Sequence, residues 1–99
     1  MGEYNLIKIT KANKPGKKYM AVFQNKKTGR EKTTYFGAAG MSDYTINKDK
    51  ERRQRYRDRH SKDLETGDPT RAGFLSYYIL WGESTSVREN IAAYKNRFF

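Results

Sequence analysis

Five basic residues, Lys48, Arg52, Arg55, Arg59 and Lys62, recur at four-three-four-three spacing within residues 47–62 (NKDKERRQRYRDRHSK). At 100° per residue this spacing predicts one continuous stripe on a helix that Asn47 caps and that runs to about Lys62. A guanidinium presents a planar fork of donors that matches phosphate oxygens, so such a row is chemistry for a polyanion. It positions phosphates without reading base sequence. A second stripe, Asp49, Arg53, Tyr56 and His60, continues from Ile46 and carries the segment's rings, so it is expected to face the protein. The competing reading is a solvated, self-paired face. Glu51 with Arg55 and Asp58 with Lys62 are acid-then-base pairs at i,i+4, each contributing a few tenths of a kcal/mol to an exposed helix. The bases outnumber the acids and the excess gathers on one stripe, which favours binding.

A second group of cations, Lys17, Lys18, Lys26, Lys27 and Arg30, brackets a stretch that reads as strand and turn. Tyr19, Phe23 and Tyr35, flanked by Lys17, Lys18 and Lys32, invite comparison with a base-stacking platform, although such rings more often pack against helices. His60 with Asp63, Glu65 and Asp68 raises the chemistry of a metal-dependent nuclease. One histidine and three scattered acids are a common surface pattern, however, and Asp68 before Pro69 is better used as a helix cap. The FGAAG run at Phe36–Gly40 lacks the Lys-Ser/Thr pair of a phosphate-binding Walker loop and reads as a strand exit that needs flexible backbone. No nucleophile–base pairing is visible, so the expectation is a protein that is not an enzyme and has no catalytic residue, metal or cofactor.

The chain is basic in sum, but unevenly so. Twenty-one Lys and Arg against eleven Asp and Glu give a formal +10 over 99 residues, a balance that points to an anionic partner. The excess lies before Asp63; from there onward acids and bases nearly cancel. With no cysteine, a disulfide scaffold and a thiolate zinc site are excluded. Residues Met1–Thr10 hold no apolar run resembling a signal peptide or membrane span, so an intracellular protein without a membrane association is expected.

Elements that would hold these residues follow from pattern and punctuation. Strands are expected at Tyr4–Thr10, Tyr19–Gln24 and Arg30–Phe36, joined by a loop on Pro15-Gly16 and a hairpin turn over Asn25–Gly29. Asp68-Pro69 signals the start of a second helix, Thr70–Trp81, which is apolar nearly all round and is therefore expected to be buried at the centre. Ser86 followed by Glu89 is a capping box, and Val87, Ile91, Tyr94 and Phe98 form the apolar stripe of a last helix. The expected architecture is a single α+β domain over residues 1–99, a three-stranded antiparallel sheet (1–36) followed by three helices (47–98).

The run FGAAGMSDYTINKDKERRQRYRDRH, followed by GDPTRAGFLSYYILW, resembles a family of short basic proteins of large double-stranded DNA viruses, with similar sequences in phages. The pattern joins Phe36, Gly37, Gly40 and Asp43-Tyr44-Thr45 to Asp49, Arg53, Tyr56 and Arg59-His60. It continues through Asp68-Pro69, Ala72-Gly73, Ser76 and Trp81, while Gly82-Glu83-Ser84 departs from a proline-containing form of that linker. The resemblance implies a viral setting, in the virion or the infected cell, and no mechanism. Two functional expectations result. The first is sequence-independent binding of nucleic acid, double-stranded DNA in particular, by a virion-packaged or genome-organising protein. The alternative is a minor capsid or cement protein whose basic surface meets acidic virion proteins.

Overall fold

Three antiparallel strands, β1 (Tyr4–Lys11), β2 (Lys17–Asn25) and β3 (Glu31–Ala38), pair in the order β1-β2-β3. The computed structural model describes residues 3–99; Met1 and Gly2, assigned above to the sheet half, lie outside the described residues. Register explains which side chains enter the core. Tyr19 pairs with Phe36, Ala21 with Thr34 and Phe23 with Lys32, so these face the helices. In β1 strict alternation would send Leu6 and Ile9 to opposite faces. A bulge between Leu6 and Lys8 makes Ile7 the extra residue, and Leu6 opposite Phe23 and Ile9 opposite Ala21 both turn inward. Ile7 remains exposed.

Tyr35 departs from expectation. It pairs with Met20, not with Tyr19, and so stands on the solvent face of the sheet, where its hydroxyl donates to Asn13 Oδ1 and Lys14 lies over its ring. Tyr19 stacks on Phe36 and Phe23 is fully buried. The three rings therefore form no common stacking platform.

The helical half begins earlier and less regularly than a single capped helix. Asp43 caps a short helix, α1 (Tyr44–Asn47); Lys48 then takes a left-handed conformation (φ 55°), and Asp49 caps α2 (Lys50–His60). Asn47 is thus not the cap of α2; its side-chain carbonyl accepts from Asp49 N–H and shapes the joint. The chain tightens to a 3-10 helix over Ser61–Thr66. Asp68-Pro69 also does not start a helix. Asp68 accepts from Thr70 N–H and Thr70 Oγ1, while Thr70 is docked on β3 through bonds from Lys32 Nζ (2.8 Å) and Thr34 Oγ1 (2.7 Å). Only beyond that anchor can the backbone wind, so α3 (Ala72–Leu75) starts two residues later than expected and runs on as a π turn over Ser76–Leu80.

This composite segment is the buried centre that its composition predicts. Phe74, Leu75, Ile79, Leu80 and Trp81 join Leu6, Ala21, Phe23, Phe36, Tyr44 and Tyr94 in one core. The last helix, α4 (Val87–Phe98), is capped by Ser86, which accepts from Glu89 N–H; Glu89 in turn accepts from Ser84 Oγ rather than reaching back to Ser86 N–H. Buried Asn90 holds the linker before it, donating to Ile79 O and Ser84 O and accepting from Ser84 N–H. A Cβ on Gly82 would meet Tyr78 O at 2.2 Å, so this close turn requires glycine.

Candidate nucleic-acid interface

The two sides of α2 carry arginines in different states. On the inner side Arg53 Nε donates to Gly82 O (2.7 Å), and Arg57 Nη1 donates to Trp81 O (2.8 Å) and Tyr77 O (3.4 Å). These carbonyls end the central π turn, where a helix leaves acceptors without partners inside it. Each guanidinium also covers a ring, Arg53 over Tyr44 and Arg57 over Tyr77 at 4.1 Å. Burial, with the charge of Arg57 beside it, lowers the pKa of Arg53 below the ordinary arginine value. Arg57 belonged to neither sequence stripe. The signal that could have found it is an apolar helix ending in Trp-Gly with no cap of its own, facing an arginine pair at i,i+4.

On the outer side Arg52, Arg55 and Arg59 are exposed, as are Lys48 and Lys62. None of these five forms an ion pair among the described residues. The anticipated Glu51–Arg55 and Asp58–Lys62 pairs are not made, and Asp58 accepts from Gln54 instead. Helical spacing holds only for Arg52, Arg55 and Arg59. Lys48 sits at the left-handed joint before α2, and Lys62 lies in the tighter 3-10 segment.

The cations of the hairpin divide. Lys26, Lys27 and Arg30 are exposed at the β2–β3 turn, where Asn25 Oδ1 accepts from Lys27 N–H and Thr28 N–H and Gly29 has φ 73°. Lys17 is exposed at the other end of β2, about 26 Å away at about 3.3 Å per residue. Lys18 is not a free cation. Its Nζ lies 2.5 Å from Oδ2 of Asp43, a buried carboxylate that also caps α1 and accepts from Thr45 N–H and Thr45 Oγ1. Removing Lys18 would leave that carboxylate buried and uncompensated, so its work is structural.

Beside the arginine row, a cleft of about 330 Å³ opens between α2, the exit of β3 and the end of the π turn. One wall is a ladder of rings. Tyr56 stacks on Trp81 (centroids 4.4 Å, 8° between planes) and on His60 (4.1 Å, 22°). Two rings so close to a third must occupy its opposite faces, so Trp81 closes the ladder in the core and His60 ends it at the surface. Asp63 Oδ2 lies 3.2 Å from His60 Nδ1 and fixes the tilt of that ring. Burial, reinforced by the Asp63 charge, raises the pKa of Tyr56. Among the described residues no three His, Asp or Glu side chains form a group that could hold a metal ion. No helix among them is long and apolar enough to cross a membrane.

No curated protein and no solved structure matches the chain. A family profile does, over residues 7–60, from β1 through the end of α2, and so includes the sheet and the arginine row but stops short of the buried π turn. That match covers more than half of the sequence: the chain belongs to the family of unknown function DUF5754.

Proposed function

We propose that this protein binds nucleic acid, double-stranded DNA above all, without reading base sequence and without catalysis, through the outer row Arg52, Arg55 and Arg59 with Lys48 and Lys62 at its ends. The observation that carries the reading is that these five cations stand exposed and unpaired while neighbouring basic side chains, Arg53, Arg57 and Lys18, are consumed by the fold. Glu51 and Asp58, one turn from Arg55 and Lys62, form no ion pair with them, so the positive charge of the row is not neutralised locally. Exposed Lys17 at one end of β2, and Lys26, Lys27 and Arg30 at the other, add further cations suited to a long polyanion. The resemblance to proteins of DNA viruses fits a virion-packaged or genome-organising role in an infected cell.

The test is binding of the purified protein to an arbitrary duplex at several salt concentrations. Counterion release gives a log–log slope of about −0.9 per phosphate neutralised. Affinity falling steeply with salt, and equal for unrelated sequences, is the expected result. Absence of binding at low salt would transfer the basic face to an acidic protein partner, as in a minor capsid or cement protein.

A further inference from the structure

The cleft beside the row has features that a phosphate-binding surface alone does not need. Its lining charges do not cancel: Lys18 is neutralised by Asp43, which leaves Arg52 and Arg59 as unpaired cations facing the cleft. Just past Arg59 the ring ladder presents His60 as its last rung, with the side chain 41% exposed. Gly37 also lines the cleft; its φ is 79° and a Cβ there would run into Leu80 at 2.8 Å, so the exit of β3 packs directly on the floor residue Leu80. Met41, exposed and apolar at the lip, adds a soft thioether surface suited to a flat guest. The π turn that forms the floor at Ser76 and Leu80 is a rare irregularity of the kind frequently found at functional sites. The volume is at the small end of ligand sites.

A flat ring joined to a phosphate matches this combination, and an inorganic anion does not, since it would leave the aromatic wall unused. Paired bases are stacked inside the duplex and offer the cleft only phosphates. We infer that the cleft takes one unpaired nucleotide of a nucleic-acid strand, its base against the His60 end of the ladder and its phosphate between Arg52 and Arg59. This rests on the nucleic-acid reading above and adds to it a substrate preference, for bulges, flaps or ends over continuous duplex.

The experiment compares three labelled DNAs by fluorescence anisotropy. One is a fully paired duplex, one carries a single-nucleotide bulge, and one carries the same bulge as an abasic nucleotide. The two bulged molecules have equal phosphate number, so only the base differs. The expected result is binding of the base-containing bulge at least about fivefold tighter than the abasic one, the lower end of what one stacked base contributes. His60→Ala should reduce that preference to about twofold or less, and His60→Phe, which retains a ring, should restore it. Equal affinity of wild type for the two bulges, with the paired duplex still bound, overturns the cleft assignment and leaves the row intact. Failure to bind any of the three overturns both.

Discussion

Helix α2 places the same residue type on two faces with opposite consequences. Arg53 and Arg57 are half-buried, lie over Tyr44 and Tyr77, and donate to the carbonyls that end the central π turn. Arg52, Arg55 and Arg59, one or two residues away, meet solvent and form no ion pair among the described residues. A basic composition is therefore not one property. Part of the positive charge is an internal fastening that the fold would lose stability without, and part is left available. Net charge alone cannot divide the two; the 100° step between successive helical positions does.

Substitutions on the inner and outer sides should differ widely in cost. Trp81→Ala should be the most severe, since it removes the buried rung beneath Tyr56 and empties space in the core; about 3–5 kcal/mol is expected, read from denaturant unfolding. A melting point within a few degrees of wild type would show that the π turn is not the centre of the fold. Arg57→Gln comes next. A charged hydrogen bond to carbonyls that burial leaves without water contributes about 1.5–3 kcal/mol, and the same unfolding measurement should register that loss. Arg55→Gln, only two positions away, should shift stability by no more than about 0.5 kcal/mol. Equal effects of the two substitutions would erase the distinction between the faces.

The inner face should also impose an alkaline limit. Burial raises the pKa values of Tyr56 and Tyr94 above the ordinary tyrosine value, and Tyr94 donates its hydroxyl proton to Pro69 O. A group whose folded-state pKa is raised gives stability that is intact below its unfolded value and is lost as pH climbs toward the folded one. Thermal stability should therefore hold to about pH 10 and decline above it. Tyr94→Phe should flatten that decline while costing about 1 kcal/mol at neutral pH. An unchanged alkaline slope in this variant would contradict the role given to the buried hydroxyl.

Much of this arrangement was legible in the residues themselves. The α+β order, the hairpin at Asn25–Gly29, the Ser86 cap and the buried segment around Phe74–Trp81 follow from local punctuation and apolar content, which act over a few residues. What escaped depends on distant partners. The bulge at Ile7 is set by pairing with β2, and the late start of α3 by Thr70 docking on β3. The Lys18–Asp43 pair spans 25 positions, so a lysine that looks available on a basic strand is in fact spent. Tyr35 stands apart from Tyr19 and Phe23 for a simpler reason: with Phe36 turned inward, strand alternation sends its neighbour outward. Of the candidate site, the helical spacing of Arg52, Arg55 and Arg59 was visible. The cleft was not, because its walls come from four separate stretches of chain.

The proposed interface is the row of outer arginines, and not positive charge in general. The direct measurement is the salt dependence of duplex DNA binding by wild type and by the variant in which Arg52, Arg55 and Arg59 are all changed to Gln. The fold of that variant should persist, and the magnitude of the log–log slope should fall by up to about three units. A folded variant whose slope equals that of wild type would remove the helix row from the interface.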